Sequence, residues 1–86
     1  MNQDTYSKAL RHFGHNAQVL KAVEELAELQ VELMHHLGDR GDISRICSEV
    51  ADVWIMVHQL RIMFGAQKVD GFIHSKVNRL EERMAS

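Results

Sequence analysis

No proline interrupts the 86 residues, and the five glycines fall singly between stretches of helical apolar periodicity. A chain without its strongest helix breaker, and with its weaker one used as punctuation, is constrained to helices joined by short connections. Four helices are expected. The first spans about Asp4 to Phe13 and stops at Gly14, and the second, capped by Asn16, runs to Leu37 before Gly38. Gly38 to Asp42 forms a turn containing Arg40-Gly41-Asp42, which reads as turn chemistry. Asp42 caps a third helix that reaches Phe64 and ends at Gly65, and a fourth covers about Val69 to Met84. The expected fold is therefore all-α, an antiparallel helical bundle of about four helices in a single domain over residues 1–86.

A chain of this length buries only about 60–65% of its unfolded surface, so the bundle is expected to be completed by homodimerisation. At 45% hydrophobic and 26% charged residues, the composition is too apolar for disorder and too polar for a membrane span. A formal charge of −2 supplies no basic excess for a nucleic-acid polymer, while a small anion held through a metal stays open. The single Cys47 cannot staple the domain internally, and Met1 to Leu10 lacks the apolar core of a signal peptide, so a reducing cytoplasm is expected. Cys47 and the five methionines read as packing residues.

Helix two carries an apolar stripe of Val19, Val23, Leu26, Leu29, Leu33 and Leu37, expected to face the core. Glu25, Glu28 and Glu32 share one flank, about 120° from the centre of that stripe. On helix two alone, a solvated acidic face explains them. Helix three changes the balance, because Val50 to Val57 is apolar except for Asp52, and Glu49 projects among Ile46, Val53, Met56 and Leu60. An unpaired buried carboxylate costs several kcal/mol or gives up its charge, so two together need a cation, a basic partner or a shared proton.

Glu25-x-x-Glu28 and Glu49-x-x-Asp52 have matching spacing, and a tight turn between their helices brings the pairs within about 5 Å in height. Four converging carboxylates form an all-oxygen site that suits Mg²⁺, with Mn²⁺ as the alternative. Glu32 and His35 make one Glu-x-x-His element, but a di-iron bundle needs a second copy. Helix four has an apolar stripe of Val69, Ile73, Val77, Leu80 and Met84, bordered by Lys76, Arg79 and Arg83. The helix macrodipole accounts for Arg83 and is an alternative for Arg79, whereas Lys76 is a candidate phosphate contact.

Glu24-Glu25-x-x-Glu28, twenty intervening residues and Glu49-x-x-Asp52 together resemble the signature of the all-α NTP pyrophosphatases, the MazG-like superfamily. The flanking segments from Ala22 to Leu29 and Ser48 to Val53, and the closing segment from Lys76 to Arg83, are also similar to family members. The resemblance covers about Ala9 to Arg83 and fits small single-domain members. It implies hydrolysis of a nucleoside triphosphate between the α and β phosphates, releasing the monophosphate and pyrophosphate. It also implies Glu25, Glu28, Glu49 and Asp52 as metal ligands, Glu24 or Glu28 orienting the attacking water, and Lys76 and Arg79 contacting phosphate.

The family's minimal unit resembles a dimer of helical hairpins with sites between subunits, and dimers of dimers are a further expectation. The chain lacks the second tandem domain of larger relatives, and no base-recognition motif aligns. His12, Phe13, His15 and Trp54 are candidate nucleobase contacts, with a solvent-exposed loop role as the alternative for His12 and His15 and a packing or interface role for Trp54. The rival expectations are a helical interaction module and a nucleotide sensor without hydrolysis.

Overall fold

The computed structural model describes residues 3–85. It forms α1 (Gln3–Phe13), α2 (His15–Leu37), α3 (Ile43–Phe64) and α4 (Ala66–Ala85), with no strand among the described residues. The all-helical expectation holds. None of these helices is long and apolar enough to cross a membrane.

Asp42 caps α3 as its sequence position suggests: its Oδ1 accepts from the backbone N–H of Ser44 at 2.9 Å and of Arg45 at 3.4 Å. Replacing Asp42 with alanine leaves those donors without a side-chain acceptor and is expected to cost about 1 kcal/mol. Urea unfolding measures this, and an unchanged midpoint would show that the cap contributes nothing. The turn before α3 also needs Gly41, where an added Cβ would lie 2.8 Å from the His36 Cα, a backbone clash.

Two boundaries differ from the sequence expectation. Asn16 does not cap α2; the N-cap is Gly14 with no side-chain cap bond, because α2 starts at His15 and already contains Asn16. The fourth helix begins at Ala66 rather than Val69, since Gly65 at φ 127° makes the change of direction in one residue. Gly71 lies inside α4 and punctuates nothing.

α2 and α3 pack as an antiparallel hairpin, with Gln18 opposite Gln59 and Glu25 opposite Glu49. α1 lies across both, while α4 packs only on α3. The Arg61 guanidinium fixes that last junction by donating to both Asp70 carboxylate oxygens, at 2.7 and 2.6 Å. The Gln18 amide donates to Gln59 Oε1 at 2.6 Å in a buried pair that sets the register of the hairpin.

The core follows the expected stripe on α3, where Met56 is buried and Ile46, Glu49, Val53 and Leu60 are half-buried, but not those on α2 and α4. Buried apolar residues are Tyr6, Ala22 and Met56, and beside them Gln18, Glu25 and Gln59 are buried as well. The expected core stripe of α2 is mostly turned outward: Val19 and Leu29 are half-buried, but Val23 58%, Leu26 48%, Leu33 43% and Leu37 76% are exposed. The reason is rotation: the line Gln18, Ala22, Glu25 meets α3, and the centre of the stripe lies about 75° round the helix from it. Val50, Trp54 and Val57 on α3, and Ile73, Val77, Leu80 and Met84 on α4, are likewise exposed. Cys47 is exposed too, contrary to its expected place in the core.

The radius of gyration is 15.4 Å, against about 12 Å for a compact domain of this length. The accessible surface is 6681 Å², about 1500 Å² more than the roughly 5200 Å² of a compact 9.9 kDa monomer.

Candidate metal centre

Glu25 of α2 and Glu49 and Asp52 of α3 each present a carboxylate oxygen, and these oxygens lie within 4.8 Å of one another. Two local features make this arrangement. Glu49 and Asp52 are three residues apart, hence one turn along the same side of α3, and the rotation of α2 turns Glu25 inward to meet them.

Glu25 is only 6% exposed. Its Oε1 accepts an ion pair from Lys21 Nζ at 3.2 Å, one turn earlier on α2, while its Oε2 is buried without a hydrogen-bond partner. Glu49 Oε2 is buried and unpartnered in the same way. Desolvation pushes the Glu49 carboxyl above the ordinary carboxylate range, and the charges of Glu28, Glu25 and Asp52 add to the shift. Lys21 moves up as well, first through its hydrogen bond to Glu25 and then through the attraction of that charge. One ammonium against three carboxylates leaves acceptor capacity unused inside the hairpin. The donors are all oxygen, which matches a hard divalent cation and not a thiolate- or imidazole-seeking one.

An open groove of about 500 Å³ adjoins the cluster, lined by Glu28, Val31, Glu32, Arg45, Ser48 and Glu49. Glu28 therefore stands beside Glu49 in the groove and outside the three-oxygen cluster. Glu24 is exposed on α2, about 100° round the helix from Glu25. Glu32 joins the groove wall, and no second Glu-x-x-His element faces it.

The remaining sequence candidates lie elsewhere in the protomer. Lys76 and Arg79 are exposed on α4, which packs on neither α1 nor α2. His12 and Phe13 contact each other edge to face at 4.6 Å, and His15 meets Phe64 at 5.6 Å. Phe64 ends α3, about 18 Å along the helix from Asp52. Trp54 is two residues beyond Asp52 and so on the opposite side of α3. Its ring lies 4.5 Å from that of His58, and it lines a separate apolar hollow of about 310 Å³ with Cys47, Val50, Ala51 and Ile55. None of these six lies in the carboxylate cluster or lines the groove beside it.

Sequence reasoning passed over Lys21, Arg45 and Ser48. Lys21 precedes Glu25 by four residues, and Arg45 precedes Glu49 by four, the spacing at which helical side chains meet. Applied around each acid, that rule finds both cations.

No protein-family model matches the chain, and no curated protein or solved structure was found to match it.

Proposed function

We propose that the protein is a Mg²⁺-dependent nucleoside triphosphate pyrophosphohydrolase of the MazG-like kind, converting a triphosphate and water to the monophosphate and pyrophosphate. The observation that carries this reading is the pair of buried, unpartnered carboxylate oxygens on Glu25 and Glu49, gathered with Asp52 into one oxygen cluster. Such atoms are costly unless a cation takes them up. The spacing of the carboxylate pairs and its resemblance to the family signature supply the reaction.

In this reading Glu25, Glu49 and Asp52 hold the ion, with Mn²⁺ able to replace Mg²⁺. A divalent ion bound there supplies charge neutralisation for the phosphate chain and acidifies the attacking water. Glu28, at the groove edge beside Glu49, either completes the ligand set or accepts a hydrogen bond from that water, and Glu24 is the alternative acceptor. Substrates include standard or modified nucleotides in the cytoplasm; neither a nucleic-acid polymer nor a membrane is a partner.

The functional unit is a homodimer, or a pair of such dimers. The protomer's surplus surface of about 1500 Å² exceeds the ~800 Å² per partner of an ordinary stable interface, and the outward apolar stripe of α2 provides the contact. Lys76 and Arg79 then meet phosphate, and His12, Phe13 and Trp54 the nucleobase, from the second copy. The exposed stripe equally suits a helical interaction module without catalysis.

Two measurements separate these readings. Incubation with a panel of standard and modified triphosphates plus Mg²⁺ is expected to release pyrophosphate from at least one. Mg²⁺ is expected to raise the melting temperature, since it binds the folded cluster and not the unfolded chain. A protein that releases no pyrophosphate and melts identically with and without Mg²⁺ is an interaction module.

A further inference from the structure

Arg45 stands in the first turn of α3, three residues before Ser48 and four before Glu49, so the three share one side of the helix. All three line the 500 Å³ groove together with Glu28 and Glu32. The backbone N–H of Arg45 is taken by the Asp42 cap, but its guanidinium makes no ion pair or hydrogen bond among the described residues. A planar fork of donors beside three carboxylates, bound to none of them, is matched to an incoming oxyanion.

We propose that the Arg45 guanidinium, with the Ser48 hydroxyl, holds the terminal phosphate of a nucleoside triphosphate in this groove, so that the site selects triphosphates over diphosphates. The inference rests on the pyrophosphohydrolase reading and deepens it.

The layout of the groove gives the direction. At one end lies the carboxylate cluster, where Glu25, 6% exposed and with one oxygen unpartnered, meets Glu49 and Asp52. Arg45 lies about one helical turn, ~6 Å, from Glu49 towards the amino terminus of α3. A phosphate chain anchored at the cluster and laid along the groove brings its far end to Arg45 and Ser48. A diphosphate anchored the same way is shorter by one phosphate and leaves the guanidinium unused.

Charge adds a condition. Glu28, Glu32 and Glu49 outnumber Arg45 in the groove, so a free polyphosphate is repelled and a metal-bound one is admitted. Binding of the anion should therefore require Mg²⁺.

The test titrates inorganic pyrophosphate into the full chain by calorimetry, with and without Mg²⁺, for the parent, Arg45→Ala, Arg45→Lys and Ser48→Ala. The same proteins are assayed on one triphosphate and its diphosphate, and melted with and without Mg²⁺. The parent is expected to bind pyrophosphate only with Mg²⁺. Arg45→Ala weakens that binding about ten- to a hundredfold, the scale of a charged hydrogen bond, and lowers the triphosphate-to-diphosphate ratio of kcat/KM by a similar factor. Arg45→Lys restores part of both because it keeps the charge and loses the fork. Ser48→Ala has the same sense and a smaller size. The Mg²⁺-dependent rise in melting temperature stays parental throughout. Parental pyrophosphate affinity and selectivity in Arg45→Ala overturn the Arg45 assignment while leaving the hydrolase reading intact. Loss of the Mg²⁺ response in that variant overturns it too, since Arg45 would then be supporting the cluster. A parent that neither hydrolyses triphosphate nor binds pyrophosphate with Mg²⁺ sinks both.

Discussion

Replacing Glu49 with glutamine is expected to abolish the Mg²⁺ response and pyrophosphate release together while making the metal-free protein more stable. The two effects have one cause. Glu49 is surrounded by Glu25, Glu28 and Asp52, with Lys21 bound to Glu25 and Arg45 one turn away on its own helix. Without a cation, burial disfavours its charge, and the three neighbouring acids add their repulsion. Glutamine removes the charge and keeps the shape. Removing a group that merely orients a metal ligand typically costs 10- to 100-fold, so losing a ligand should cost about a hundredfold or more in activity.

The same shift dictates a pH dependence. Because the folded state holds the Glu49 proton more tightly than the unfolded chain, this group's contribution to stability is full below its ordinary value of 4.5. It is lost as the pH rises through the raised folded value. The metal-free parent should therefore lose stability over that interval, and Glu49→Gln should lack this component of the loss. Mg²⁺ competes with the proton, so its stabilisation of the parent fades on acidification through the same interval. Thermal scans that start below 4.5 and run well above it, with and without Mg²⁺, check both arms. Retention of pyrophosphate release or of the Mg²⁺ shift in Glu49→Gln would remove Glu49 from the site.

The helices were legible because their boundaries depend on local chemistry. Asp42 caps α3 with its own side chain, and Gly65 turns the chain with its own φ. Asp52 and Glu49 announced themselves as acids in an apolar run, and both point to the same cluster as Glu25. Which face of α2 meets α3 was not legible. The stripe through Val23 and Leu26 says that a surface must be covered, but a hydrophobic stripe carries no mark of the partner. Here the polar line Gln18, Ala22, Glu25 forms the hairpin interface, secured by the Gln18–Gln59 hydrogen bond that no periodicity predicts. Trp54 illustrates the same limit: its proximity to Asp52 in sequence hides a place on the other side of the helix. Glu28 shares its spacing with Glu25 and still falls in the groove beside the cluster, a distinction of about 60° around α2.

Leu26→Lys is expected to convert a dimer into a monomer of greatly reduced stability. Leu26 sits within the outward stripe of α2, and a lysine there places a charge where the proposed interface is driest. Among the described residues Tyr6, Ala22 and Met56 are the buried apolar ones, too few to hold an 86-residue chain well folded by themselves. For the parent, sedimentation should report about twice 9.9 kDa, with a melting temperature that rises with protein concentration because association and folding are linked. The variant should sediment as a single chain and melt lower, with no concentration dependence. Glu25, Glu49 and Asp52 belong to one protomer, so whatever fraction of the variant stays folded retains a Mg²⁺-dependent rise in melting temperature. Its catalysis should nevertheless fall, since Lys76 and Arg79 lie on a helix that packs on neither α1 nor α2 of their own chain. A parent that sediments as a 9.9 kDa species and melts at a fixed temperature across concentrations would show that the stripe joins no second copy. Full activity in that monomer would further place the whole phosphate-binding machinery within one chain.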